Sequence, residues 1–332
     1  MKALWGFVFI CLATWANAQT YPAKPIRLMV GYPPGGSGDF TTRLIVGYPP
    51  GGSGDFTTRI IGEELTRELG VAVVIENKPG AGGSIATEFV AKSPPDGYTL
   101  LNQGNHAYNK VLYKDLAYDD KDFIPVSRVA NGATVLVVNN STPFTTLGEL
   151  IAYAKANPGK LFNASAGFGS APQIAACAFE ASAGIRVTSV QFKGGGPAAV
   201  SLLAGDTQMM FATSPTVMGF IQGGRMRPLV VSMRKASPSI PGIPGSEEAG
   251  LPGFESTFWF GLYVPAGTPM DIVRRLHATA VKGLSKPEVR EKIASQGMDA
   301  LPSASPEIFA AEIRAEAPRI VQALKGCGAK IE

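Results

Sequence analysis

The feature that most narrows the fold is an alternation. Four times along the chain a β-rich run leads through a Gly/Ser loop into a helical pattern. The joining loops are Pro50-Gly51-Gly52-Ser53-Gly54-Asp55, Ser165-Ala166-Gly167-Phe168-Gly169-Ser170, Lys193-Gly194-Gly195-Gly196 and Thr213-Ser214-Pro215. Strands that alternate with helices build an α/β fold, because a parallel connection needs a crossover long enough to hold a helix. The spacing predicts strands over residues 71–76, 98–102, 134–139, 161–164, 188–192, 208–212 and 229–232, in mostly parallel sheets. Helices are expected over 84–92, 146–157, 172–183, 197–204, 215–222, 270–284, 287–296 and 306–324.

Two domains are expected from length alone, since 332 residues exceed what one small core organises. The middle series is an α/β unit of its own. It suggests a discontinuous first lobe, residues 19–124 and 228–332, with a second lobe, 125–227, threaded through it. Crossing segments near 124–130 and 227–232 would form the hinge.

The N-terminus argues export. Lys2 precedes an apolar run from residue 3 to 13, and Ala16-Asn17-Ala18 has the small-residue spacing of a cleavage site. Residues 1–18 therefore read as a signal peptide cut after Ala18. The run is shorter than the roughly 20 residues that a membrane span needs. Cleavage lowers the formal charge of +4 by one. That small excess suits anionic small ligands and is too weak to argue nucleic acid. Cys177 and Cys327 would remain, and their contexts, a helix interior and a tail, lead us to expect free thiols. With two histidines and no Cys/His cluster, neither a metal site nor another cofactor is expected.

Residues 28–43 recur as residues 44–59, changed only at Met29/Ile45. One pair of copies makes no solenoid. Only the second copy leads into a full helix, on which Phe56, Ile60, Ile61, Leu65 and Leu69 share a face, Asp55 caps the start and Gly70 ends it. After the first copy, Gly47, Pro49 and Pro50 stop the pattern. We therefore expect the strand at 43–46, the loop at 47–54 and residues 24–42 displaced as an extension. The rival register uses residues 26–30 as the strand and bulges 39–54 at the pocket mouth.

Each Gly/Ser loop can present helix-start amides to an anion. An ordinary strand-to-helix turn is the plain alternative for each, and Lys193 could be a solvated charge. Together the loops are more telling: if the lobes face each other, neutral amides and hydroxyls, including Gln173, Gly194 and Thr213, could hold a carboxylate without a matching cation. Enzymatic patterns are poor. Gly51-Gly52-Ser53-Gly54-Asp55 fails a nucleophile elbow at its fifth position, and no nucleophile motif points to His106. His277 reads as a helix-surface residue. No enzyme is expected.

Several motifs then resemble the Bug-type receptors, the periplasmic substrate-binding components of tripartite tricarboxylate transporters. They are Tyr21-Pro22-Ala23-Lys24-Pro25-Ile26-Arg27, the Pro-Pro-Gly-Gly loop, Glu76-Asn77-Lys78-Pro79-Gly80-Ala81-Gly82-Gly83, Pro94-Pro95-Asp96-Gly97-Tyr98 and Phe260-Gly261-Leu262-Tyr263-Val264-Pro265-Ala266-Gly267. The resemblance implies a two-lobed periplasmic-binding-protein fold, type II-like, with a carboxylate in the cleft between lobes. It implies ligand contacts from Gly51, Gly52 and Ser53, from Asn105 and His106, and from Ser165, Gly167, Phe168, Gly169 and Ser170. It also implies membrane permease subunits as partners of a monomeric receptor. The chain departs from the family at Gln173, where a His is usual, at Ala212, where many members are acidic, and at Phe192, where many have Tyr. Loss of the acid favours a plain carboxylate over an amino acid. A ligand sensor feeding a signalling partner, and a receptor whose pocket the duplication blocks, stay open as alternatives.

Overall fold

The computed structural model describes residues 26–30, 52–70, 72–78, 83–104 and 115–326, the first stretch by its backbone alone. In the N-terminal third these are β1 (Ile26–Val30), α1 (Ser53–Leu69), β2 (Val73–Asn77), α2 (Ser84–Ala91) and β3 (Thr99–Gln103). The middle holds β4 (Phe123–Asn139), α3 (Leu147–Ala156), β5 (Phe162–Ser165), α4 (Ala171–Ala183), β6 (Thr188–Gln191), α5 (Gly195–Ala204), β7 (Met209–Thr213), α6 (Ser214–Gln222) and β8 (Met226–Val231). The last third holds β9 (Thr257–Pro265), α7 (Met270–Leu284), α8 (Pro287–Ala294), β10 (Met298–Ala300) and α9 (Pro306–Gly326).

The strands form two sheets that share β4. The first has the order β2-β1-β3-β9-β4, with β10 also on β4; the second runs β4-β7-β5-β6, with β8 also on β4. Residues 123–133 of β4 pair with β9, and residues 134–139 pair with β7 and β8. The change of sheet therefore falls between Ala133 and Thr134, and the stretch expected as the first crossing, 124–130, still lies in the first sheet. β8, expected to lead back to the first lobe, pairs in the second sheet. The pairs β1–β2, β1–β3, β5–β6 and β5–β7 are parallel, while every pair made by β4 and β9 is antiparallel. The sheets are thus mixed rather than mostly parallel. A long strand that passes from one sheet to the next is flanked by strands running back, and those must be antiparallel.

One hydroxyl knots the crossing. Thr134 N–H donates to Ser232 Oγ at 2.9 Å, and so does Thr134 Oγ1 at 2.9 Å. Ser232 Oγ in turn donates to the Ser256 carbonyl. The group is buried and ties β4 to the end of β8 and the approach to β9.

Both sheets are covered on both faces, as buried parallel strands require. On one face of the first sheet, Phe56, Ile61 and Leu65 of α1 pack with Leu276 of α7 and Leu262 of β9. On the other, Leu101, Trp259 and Tyr263 meet Phe309 of α9. In the second sheet Phe179, Phe211 and Phe254 form a mutual cluster with ring centroids 5.4–5.8 Å apart. An ionic clasp fastens α1 to α7 and to the turn between α7 and α8: Lys286 reaches Glu64 at 2.8 Å and Glu68 at 2.7 Å, and Lys282 reaches Glu68 at 2.6 Å. Hydrogen bonds from Lys282 and then Lys286 hold the Glu68 carboxyl at about 2, against the pull of burial. Among the described residues no helix is long and apolar enough to cross a membrane.

The strand of the rival register is the one that forms. β1 is Ile26–Val30, set between β2 and β3 with Leu28 opposite Ile75 and Leu100. The expected strand at 43–46 is therefore corrected; those residues lie outside the described ones. α1 follows the second copy, as its uninterrupted apolar face requires, but either copy can fill the strand, since Arg-Leu-Met-Val and Arg-Leu-Ile-Val fit a strand equally. Asp55 is not the cap of α1 either. Extended Gly52 starts the helix without a side-chain cap, and Asp55 is spent on Arg59 at 2.9 Å and Asn77 at 3.1 Å. Cys177 is disulfide-bonded, which corrects the free thiol expected there; a helix-interior context does not tell which thiol the packing brings near. Cys327 lies outside the described residues.

Candidate functional site

In the first lobe the ends of two parallel strands converge on the first turn of α1. Asn77, last in β2, donates to Asp55. Asn102, near the end of β3, donates through Nδ2 to Thr57 Oγ1 at 3.1 Å and Thr58 Oγ1 at 2.8 Å. Those threonines send their own protons to backbone carbonyls of Ser53 and Gly54. The turn is thus held from below by a polar network. Its own start, Gly52-Ser53, has no side-chain cap, so its first amides are left for solvent or a ligand. Gly83 opens α2 with φ 93°, and a side chain there would collide with Gln103 at the end of β3.

In the second lobe three loops form one surface at the carboxyl ends of β5, β6 and β7. Phe192 N–H donates to the Ser165 carbonyl at 2.9 Å, which ties the loop after β6 to the end of β5. A side chain at Gly167 (φ 112°) would press on the Phe192 carbonyl, and one at Gly195 on Thr216. Thr213 Oγ1 lies 3.0 Å from Thr216 Oγ1. The carboxyl ends of parallel strands are where open α/β sheets bind ligands.

The loop at 165–170 is self-braced. Ser170 Oγ donates to the Gly167 carbonyl at 2.7 Å and caps α4 by accepting from Gln173 N–H. Gln173 Oε1 accepts from Gly169 N–H at 2.6 Å. Gln173, expected as a ligand contact, thus shapes the loop with its carbonyl oxygen. Ser165 Oγ is buried with no hydrogen-bond partner. α5 begins at Gly194 (φ 109°) and α6 at Thr213, both without side-chain caps. Phe168 is half-buried on this surface and Lys193 is exposed.

The lobes meet beside these loops. α1 touches α6, and Ala171, first in α4, packs against the cluster that contains Phe56. Ser214 Oγ, at the start of α6, donates to the Gly297 carbonyl at 2.9 Å. Of the expected contacts, Gly52 and Ser53 lie on the first-lobe turn, and Ser165, Gly167, Phe168, Gly169, Ser170, Gln173, Gly194 and Thr213 on the second-lobe surface. Gly51, Asn105 and His106 lie outside the described residues. Sequence reasoning missed Asn102; its one signal was an amide that ends the expected strand 98–102. His277, expected on a helix surface, is half-buried, with Nε2 2.9 Å from the Ser303 carbonyl. Among the described residues no three His, Cys, Asp or Glu side chains are grouped to hold a metal ion.

Two α/β lobes joined through a shared strand, with loops of both at the junction, define a periplasmic-binding-protein fold. Residues 57–325 match the model of the tripartite tricarboxylate transporter family receptor, and the chain belongs to that family. It is 33% identical to BugT of Bordetella pertussis over 325 residues, covering 97% of this chain and 94% of BugT. Two solved structures are similar. Rpa4515 of R. palustris, with adipate, superposes with a TM-score of 0.84 at 30% identity, over 93% of this chain and 98% of that one. MatC from Rhodopseudomonas palustris, with bound malate, gives 0.80 at 28% identity, over 92% and 100%.

Proposed function

We propose that the chain is exported with cleavage after Ala18, binds a small carboxylate between its lobes, and hands it to membrane permease subunits of a tripartite transporter as a monomer that does no chemistry on it. The observation that carries this is the set of uncapped helix starts at Gly52, Gly194 and Thr213, offered from both lobes. Amide donors at a helix start are met by a negative charge. The described loop surfaces carry one cation, exposed Lys193, and the Asp55 carboxylate is already paired. Neutral donors holding an anion fit a receptor that must also release it. Rpa4515 and MatC, with adipate and malate, support the same ligand class. We place the lobe boundary inside β4, at Ala133/Thr134, rather than at residue 124, because pairing changes sheet there.

Thermal unfolding of the mature protein against di- and tricarboxylates tests this. A ligand at 100 times its Kd stabilises by about 2.7 kcal/mol. If no aliphatic or aromatic carboxylate shifts the transition, the proposal fails. Mass spectrometry of the exported protein checks the cleavage: the first residue should be Gln19.

A further inference from the structure

The side-chain amide of Asn102 sits behind the first turn of α1 with both of its donors spent. One N–H goes to Thr57 Oγ1 at 3.1 Å and the other to Thr58 Oγ1 at 2.8 Å. A threonine hydroxyl has a single proton to give. Thr57 Oγ1 shares its proton between the Ser53 carbonyl at 2.9 Å and the Gly54 carbonyl at 3.1 Å, and Thr58 Oγ1 sends its own to the Gly54 carbonyl at 2.6 Å. The relay therefore runs one way, from amide through hydroxyl to carbonyl. Asn102, Thr57 and Thr58 are all fully buried, so bulk water does not compete for these bonds.

The Ser53 carbonyl and the Gly54 N–H belong to one rigid peptide plane and point opposite ways. The same holds for the Gly54 carbonyl and the Asp55 N–H. Gripping the carbonyl end of each plane aims its N–H end. Gly54 N–H lies in the first turn, where a helix offers it no acceptor, and Gly52 adds no side-chain cap.

Asn102 is itself held in place. β3 pairs with β1 on one side, Val30 opposite Asn102, and with β9 on the other, Leu262 opposite Asn102. Strand alternation turns Gln103 to the other face of the sheet, where its amide lies against Gly83 at the start of α2. Asn102 Oδ1 is buried without a partner. A buried acceptor left unpaired costs stability that an apolar side chain of similar shape would not. What the amide contributes is its two donors.

We infer that Asn102 is a positioning residue of the first-lobe half of the site. It sets the direction of the Gly54 N–H from behind the turn, and so the affinity for a carboxylate, without touching the ligand. The inference rests on the proposed carboxylate binding for what that N–H meets.

Asn102→Leu keeps the volume and removes both donors together with the unpaired oxygen. Without ligand its Tm should hold or rise, while the Kd for adipate and malate, used as probes in titration calorimetry, should rise roughly tenfold. Thr57→Val with Thr58→Val breaks the same relay. Adding Asn102→Leu to that pair should weaken binding no further, because both act through one path. Losses that multiply overturn the inference, and so does a fall in Tm with Kd unchanged, which marks a merely structural role. Hydrogen exchange without ligand gives a second readout. In Asn102→Leu it should quicken at the amides of Thr57 and Thr58 and stay unchanged at residues 62–69; no change at Thr57 and Thr58 overturns the inference. A parent protein that binds no carboxylate overturns the proposed function instead, and the exchange measurement then decides the role of Asn102 alone.

Discussion

Removing one copy of the duplicated segment should stabilise the protein. β1 ends at Val30 and α1 begins at Ser53, so residues 31–52, 22 in number, connect them. Most strand-to-helix connections take about 2–6 residues. Deleting residues 31–46 leaves six, 47–52, and keeps every strand and helix residue. Loop closure costs about (3/2)RT ln n, so shortening 22 to 6 is worth roughly 1.2 kcal/mol. At about 2.1 cal/mol/K of unfolding entropy per residue, a chain of this length gains roughly 2 °C in Tm. Deleting residues 27–42 instead gives the same connection and differs only by Ile in place of Met29, so the two deletions should agree within about 0.5 kcal/mol. Calorimetry of parent and both deletions is the assay. A fall in Tm in either would refute the reasoning, because it would mean the extra residues make contacts that outweigh their entropy.

Three further outcomes follow from single groups. Ser165→Ala removes a buried hydroxyl that has no partner, so stability in urea should hold or rise, by up to about 1 kcal/mol; carboxylate affinity, read by titration calorimetry, should fall roughly fivefold if the hydroxyl turns to the ligand. Phe309→Ala empties the site between Trp259 and Tyr263 and should cost about 3–5 kcal/mol in urea unfolding. Glu68 is depressed to about 2, so the stability it contributes is complete above its ordinary value of 4.5 and is lost as pH falls from there toward 2; the Glu68→Gln variant should lose less stability than the parent across that window in acid titrations followed by circular dichroism.

Most helices were legible because their signals are local. Thr146, where the helix over 146–157 is expected to start, caps α3 and shares a capping box with Glu149, and α7 runs over the expected residues 270–284. Strands buried on both faces lose their alternation, which hid β9: eight of its nine residues are buried, and Gly261 interrupts the run. That glycine is required by a neighbour 48 residues away, since a side chain there would strike the Phe309 ring. The length of β4 was missed for a related reason, as Pro125, Asn131 and Gly132 read as breaks while pairing with β9 carries the strand through them. The second-lobe loops were found from their glycines. That Gln173 braces Gly169 could not be, because it depends on how the first turn of α4 folds back on its loop.

The knot at Ser232 bears on how such a receptor moves. A loop hinge swings freely until the lobes collide. Here the crossing is one continuous strand, with Thr134, Ser232 and Ser256 pinned by one buried hydroxyl. Such a joint behaves as a leaf spring: bending is shared among several backbone torsions, resistance grows with angle, and the lobes return to one resting geometry. A ligand that closes the cleft would bend that joint, and its release would let the lobes return to their resting geometry.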